Sequence, residues 1–277
     1  MRSSTNCFTV SMAISDLLIP VVVLPDLIAQ LYNDGLWLVH GALGDILCKL
    51  VHNSRNLSSL VSVLSMVAIA ADRFRAVVHP MRPPLFSRKE CKIVIASTWL
   101  VSLVFRAYSL YAAKLVSFKG KLYCYRSQWT GTNSNGMAVK ISRLHMLIYF
   151  TVVFGSAIVL TVLHSCMFVS LHRQKSHLHL APVQVKTRAK RNQKIARLLL
   201  TVVVVFYSLF LLFFCPWFLL LGGIQLPCFY KWFSINCTLL YPVANPVVYF
   251  TFNQMYRRGL KRLLFCSGTP IAQTPDS

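Results

Sequence analysis

The sequence predicts an all-α membrane protein, a bundle of apolar helices crossing a bilayer. Hydrophobic residues fill 56% of its 277 positions and charged residues only 13%, about half the share of a soluble chain. Mean hydropathy is +0.57. Apolar runs of roughly twenty residues, the length a helix needs to cross ~30 Å of hydrocarbon, recur along the chain.

The runs fall near residues 7–31, 47–71, 93–113, 144–171, 195–221 and 232–252. They make residues 1–252 one transmembrane bundle. Proline, glycine and serine inside such runs are tolerated because neighbouring helices satisfy the freed backbone groups. MRSSTNCFTV leads into the first run without a signal-peptidase site, so the first helix is expected to act as the insertion signal. Six spans place both termini on one side. The segments after Phe74 (Arg75, Arg82, Arg88, Lys89, Lys92), between His172 and Lys194, and after Phe252 carry most of the bases. The positive-inside rule makes that side cytoplasmic, the C-terminus included. The opposite loop, Lys114–Arg143, is also basic, which blurs the asymmetry. Residues 253–266 place Met255, Tyr256, Leu260, Leu263 and Leu264 at helical intervals between bases, the pattern of an amphipathic interfacial helix. Cys266 at its end is a candidate lipidation site. Residues 267–277 are expected to be a disordered tail.

The net charge of +22 raises nucleic acid as a partner. No aromatic–basic motif accompanies the bases, so they are assigned to anionic membrane lipid and the cytoplasm, with no nucleic-acid partner. The nine cysteines lack metal spacing. Cys48 and Cys124 fall in outer segments, where a disulfide persists. Cys7, Cys91, Cys166, Cys215 and Cys237 read as small buried hydrophobes, and Cys228 as an outward thiol. No nucleophile–base–orienter set is present, so no enzyme is expected, and neither cofactor nor metal beyond a simple cation. The absence of internal repeats counts against a secondary transporter. Asn56 and Asn236 head Asn-x-Ser/Thr triplets but lie in or at helices, where no glycan is expected.

The chain is organised around the stretch from Cys48 to Phe74. A helix carries Cys48 and Arg73 ~37 Å apart, enough to set a cysteine at one membrane face and an acid–base pair at the other. Intramembrane charges are costly and mark function. Asp16 lies mid-span, and Ser62 and Asn245 are polar positions that can converge on it as a pocket for Na⁺. The alternative is a protonated, hydrogen-bonded Asp16. Asp72-Arg73-Phe74 ends the second run, where a helix dipole would favour an arginine anyway. It co-occurs with Asn245-Pro246-Val247-Val248-Tyr249, in which Pro246 permits a kink near the inner end of the last run.

In this order and spacing the motifs resemble those of rhodopsin-like (class A) G-protein-coupled receptors, closest to peptide-binding members. Asp16 stands at the family's second-helix aspartate. Asp72-Arg73-Phe74 resembles Asp-Arg-Tyr, and Asn245–Tyr249 the seventh-helix motif. Trp99 matches the fourth-helix tryptophan, Trp37 that of the first outer loop, and Tyr256 the aromatic of the surface helix. The resemblance implies a seven-transmembrane receptor bundle of which six spans are present, Met1 opening at the inner end of the family's second helix. It also implies a Cys48–Cys124 disulfide. Asp72 would hold Arg73 at rest, and Arg73 and Tyr249 would contact a heterotrimeric G protein once the sixth helix swings outward. The departures are specific. Ser156 stands in place of the fifth-helix proline and His164 in place of a tyrosine. After Phe206, Leu209–Leu212 replaces the Cys-Trp-x-Pro switch, or, in a second register, Pro216 is the family's proline with Phe210 and Phe214 as its aromatics.

The implied function is a plasma-membrane, multi-pass receptor that transduces an extracellular ligand to heterotrimeric G proteins. Arg55, two turns inside Cys48, is incompatible with an ammonium ligand. Asp26, His52, Arg55, Arg106 and Phe210 are the candidate ligand pocket, suited to a peptide or other anionic ligand. Internal pairing of Asp26 with Arg55 or Arg106 is the alternative. Two further readings stay open: a truncated or decayed receptor that modulates others, for instance as a receptor dimer, and a channel or transporter using Asp16, Asp26, Arg55 and Arg106.

Overall fold

The computed structural model describes residues 4–79, 82–83, 85–126, 136–177 and 183–221, with six single positions beyond them. The last predicted span (apart from Phe233 and Leu240), the interfacial helix and the tail lie outside the described residues. So do Cys228, Cys237, Asn245, Pro246, Tyr249, Tyr256 and Cys266.

Helices α1 (Ser4–Asp16) and α2 (Leu24–Tyr32) come from the first apolar run, separated by a π-helical turn, Ile19–Val23. Pro20 is the cause. Lacking an N–H, it cannot bond the carbonyl of Asp16 four residues back, and the ladder widens until Leu24 N–H reaches Ile19 O. The bulge begins at Ile19, with Leu17 and Leu18 between it and Asp16.

Helix α3 (Gly41–Val78) is the axis of the bundle. It packs against α1, α4 (Arg88–Ala112), α5 (Gly136–His177) and α6 (Val183–Leu221). Its spanning stretch is 72% buried, against 22% for that of α5 and 28% for that of α6, which places it at the centre and them at the lipid. Among the described residues, four stretches are long and apolar enough to cross a membrane: 6–32, 41–78, 147–173 and 193–212. The core layer joins Met12, Val63, Met66, Tyr149, Leu160, Phe206 and Phe210.

The helices exceed the apolar runs: α5 begins at Gly136 rather than 144, and α6 at Val183 rather than 195. The apolar run marks only what lies in hydrocarbon, and each helix continues into the polar phase.

Three differences from the sequence reading stand out. The outer segment is not a plain loop. It holds an antiparallel hairpin, β1 (Ala113–Phe118) and β2 (Lys121–Arg126), so the fold is all-α only within the bundle. Lys119 and Gly120 close it with φ of 49° and 75°, the two positive values a tight hairpin turn requires. Second, among the described free cysteines, Cys7, Cys166 and Cys215 are exposed and Cys91 alone is buried. In a bilayer an exposed position faces acyl chains, where a thiol is as much at home as in a core. Third, Ser87 caps α4 in a box the sequence already spells as Ser-x-x-Glu. The Ser87 amide donates to Glu90 Oε2 at 2.6 Å and the Glu90 amide donates to Ser87 Oγ at 3.3 Å.

That box gives a testable pH dependence. The Ser87 amide, then its hydroxyl, and last the charge of Arg75 hold the Glu90 carboxyl below its ordinary 4.5 against a smaller effect of desolvation. Its contribution is therefore present above that ordinary value and is lost as pH falls through the depressed one. Hydrogen exchange of the first-turn amides of α4 should accelerate over that window. Ser87→Ala should accelerate it at neutral pH by roughly fivefold, the equivalent of a cap worth ~1 kcal/mol.

Candidate functional site

Three groups of sequence candidates fall at different depths along α3, and other pocket candidates lie on neighbouring helices. At the outer end, Cys48 and Cys124 are joined by a disulfide, with Cα atoms 5.6 Å apart. It ties α3 to β2. Trp37 completes the joint: its amide donates to the Leu122 carbonyl at 2.8 Å, and its ring packs with Cys48, Val51 and Ala113. Gly44 lets the segments close, since a Cβ there would lie 2.1 Å from the Val39 carbonyl oxygen and 3.0 Å from Leu115. His52, a pocket candidate, is one turn inside Cys48, with Nδ1 3.2 Å from the Cys48 carbonyl and 3.4 Å from Cys124 Sγ. Cys48, His52 and Cys124 come close enough to bind a metal, but sulfurs bonded to each other are not thiolate ligands.

The other pocket candidates are carried by α2, α3, α4 and α6. The Asp26 carboxylate accepts from Gln30 at 2.7 Å on α2. Arg106, 2% exposed on α4, lies close enough to the Tyr149 phenol to act on it electrostatically. Phe210 is 2% exposed, stacks on Phe206 with centroids 4.5 Å apart and belongs to the core layer. The Arg55 side chain lies outside what is described.

At mid-depth the structure brings Asp16 and Ser62 together and adds Ser58. Ser58 and Ser62 donate to the same oxygen, Asp16 Oδ1, at 3.1 and 3.0 Å. Asp16 is 5% exposed and both serines are fully buried. Ser58 precedes Ser62 by one turn, the spacing that puts both hydroxyls on one helix face. One carboxylate and two hydroxyls are hard oxygen donors, and the hydroxyls rotate to offer lone pairs, so this donor set fits Na⁺.

At the inner end Arg73 Nη2 donates to Asp72 Oδ2 at 2.8 Å. Asp72 is 2% exposed on its side chain and Arg73 16%. Phe74, which follows, is half-buried on α3.

Polar links unmarked in the sequence reading cross the bundle between these levels. Trp99 Nε1 donates to Ser11 Oγ at 3.0 Å, joining α4 to α1. The Tyr149 and Ser59 hydroxyls pair at 2.9 Å between α5 and α3. Ser156, where a proline was expected, pairs with the Tyr207 hydroxyl at 2.7 Å and donates to its own Val153 carbonyl. A proline there could make neither bond. Lone hydroxyls in apolar runs gave no signal for such pairings.

The family model described as 7 transmembrane receptor (rhodopsin family) matches residues 1–249. The chain belongs to that family. Several known receptors align with nearly all of the chain. The Substance-K receptor of Mus musculus is 25% identical over 99% of this chain and 70% of its own length. Neuropeptide FF receptor 2 of Mus musculus is 26% identical over 94% of this chain and 64% of the receptor. Neuropeptide receptor 22 of Caenorhabditis elegans is 24% identical over 94% and 61%. The chain thus spans about two thirds of the length of such relatives. Family membership and the apolar helices make it a multi-pass membrane protein, of a family of receptors rather than enzymes.

Proposed function

We propose that the chain is a receptor of the plasma membrane, C-terminus in the cytoplasm, that binds an extracellular peptide and activates heterotrimeric G proteins. The buried Asp72–Arg73 pair at the inner end of α3 carries this reading. In a member of this receptor family, that position makes the pair the lock of the resting state, and relatives matched over most of the chain are named for neuropeptides. The basic outer hairpin, with Lys114, Lys119 and Lys121, supports a ligand that carries negative charge. The test is guanine-nucleotide exchange in membranes holding the chain, challenged with substance K and neuropeptide FF. Saturable exchange supports the reading; saturable peptide binding with no rise in exchange overturns it.

Na⁺ between Asp16, Ser58 and Ser62 is part of the proposal. Its chemistry is electrostatic: it neutralises the buried carboxylate and favours whichever bundle arrangement keeps the three oxygens together. The full chain should gain thermal stability in NaCl over an equal concentration of choline chloride, and Asp16→Ala should abolish the difference. Equal midpoints in both salts for the unaltered chain would count against the ion.

A further inference from the structure

The inner ends of α5 and α6 face each other across a cavity of about 230 Å³. Its walls are two helical stripes, His164, Met167, Leu171 and His172 from α5 against Gln193 and Arg197 from α6, flanked by Phe168 and Leu200. Phe168 is 70% exposed and Leu200 44%, so the cavity opens on the flank that faces lipid. His164 is 7% exposed, with Nδ1 2.8 Å from the Leu160 carbonyl oxygen. Its Nε2 is buried without a hydrogen-bond partner among the described residues, a costly state for a polar atom.

Charge says what is missing. Between Glu90 and Asp276 the sequence holds no acidic residue at all, so neither α5 nor α6 carries a carboxylate. Residues 172–197 hold eight Lys and Arg. Arg197 is exposed within the apolar stretch 193–212, on the rim of this cavity.

We propose that the cleft binds one anionic phospholipid of the cytoplasmic leaflet. Its phosphate sits on Arg197, with Gln193 and His172 at the mouth, and its glycerol-ester region meets His164. The depths agree. Arg197 lies four residues inside Gln193 and His164 eight inside His172, or ~6 and ~12 Å. With Gln193 and His172 taken as level at the mouth, the ~6 Å between Arg197 and His164 is about the thickness of one interfacial layer of a bilayer. With Nδ1–H donating to the Leu160 carbonyl, Nε2 of the neutral ring is an acceptor, and a water at the ester level donates both to it and to a lipid oxygen. A bound lipid would clamp α5 to α6 at the end that moves in the proposed receptor cycle, so occupancy biases the equilibrium between states. The proposal takes its membrane side from the receptor reading, but its test needs neither peptide nor G protein.

The thermal midpoint of the full chain is measured in nanodiscs of phosphatidylcholine alone and of phosphatidylcholine with phosphatidylserine. Phosphatidylserine should raise it by several degrees. Arg197→Gln should remove most of the rise, while Arg173→Gln, just beyond the cavity wall, keeps it. Inorganic phosphate added to phosphatidylcholine discs should not reproduce it. An undiminished rise in Arg197→Gln, or an equal rise with phosphate, overturns the proposal. Should Arg197→Gln fail to fold, photoreactive phosphatidylserine on the unaltered chain decides. Labelling concentrated at 167–171 supports the site, and labelling that a phosphatidylcholine probe matches there rejects it. A peptide of the G-protein α-subunit tail that displaces the probe without any phosphatidylserine-dependent rise would assign the cleft to the G protein instead.

Discussion

Replacing Cys124 with serine should sharply reduce both the amount of chain at the cell surface and its thermal midpoint. The bond closes a loop with a sequence separation of 76. For a free chain, closing such a loop is worth roughly 4–5 kcal/mol of unfolded-state entropy. The bilayer already restricts the spanning helices, so the effect on this protein should fall below that figure while remaining among the largest available to a single substitution. The damage has a definite location. Leu115 and Leu122 would part from Trp37 and Val51, and the hairpin would lose the anchor that holds it over α3. Cys48→Ser should match Cys124→Ser, and the double variant should be no worse than either, because all three lose one and the same bond. Midpoints of the detergent-solubilised chain, with and without a membrane-impermeant reductant, check this. Additive losses would mean that the two cysteines act separately.

Asp72→Asn should raise nucleotide exchange in the absence of any peptide. A charge-assisted hydrogen bond of this kind is worth ~1.5–3 kcal/mol, so removing it from the resting state alone shifts the resting-to-active equilibrium roughly 10- to 100-fold. Asn keeps the size of the side chain and loses the charge that holds Arg73 at 2.8 Å. Arg73→Ala should act the other way, with peptide binding retained and exchange lost. Basal and peptide-stimulated exchange on the same membranes separate the two effects.

Much of the bundle was legible because the solvent is lipid. A helix satisfies its own backbone in hydrocarbon, and five of the six apolar runs correspond to described helices, the sixth lying largely outside the described residues. The same solvent hid other features. Acyl chains are as apolar as a core, so hydropathy could not tell that Cys7, Cys166 and Cys215 face outward. Nor could it tell that the Phe210 ring packs in the central layer.

Where water meets the chain, signals were present and went unread. Lys-Gly between two short strands of alternating pattern spells the hairpin, and Ser87-x-x-Glu90 spells the cap. The Asp16–Ser62 contact was readable as two polar positions on adjacent helices, but its partner Ser58 needed the helical spacing to be followed one turn further. Pro20 was visible from the start. Its consequence, a π-helical turn over Ile19–Val23, depends on which carbonyl loses its donor.

The receptor reading is tested most directly by basal nucleotide exchange on one heterotrimeric G protein, measured side by side for the unaltered chain, Asp72→Asn and Asp72→Asn/Arg73→Ala at matched surface levels. The expected result is a rise in the single variant that disappears in the double, because Arg73 released from Asp72 is then the group that engages the G protein. Equal exchange in all three would contradict the central claim that this ion pair is the lock between a bound peptide and a G protein.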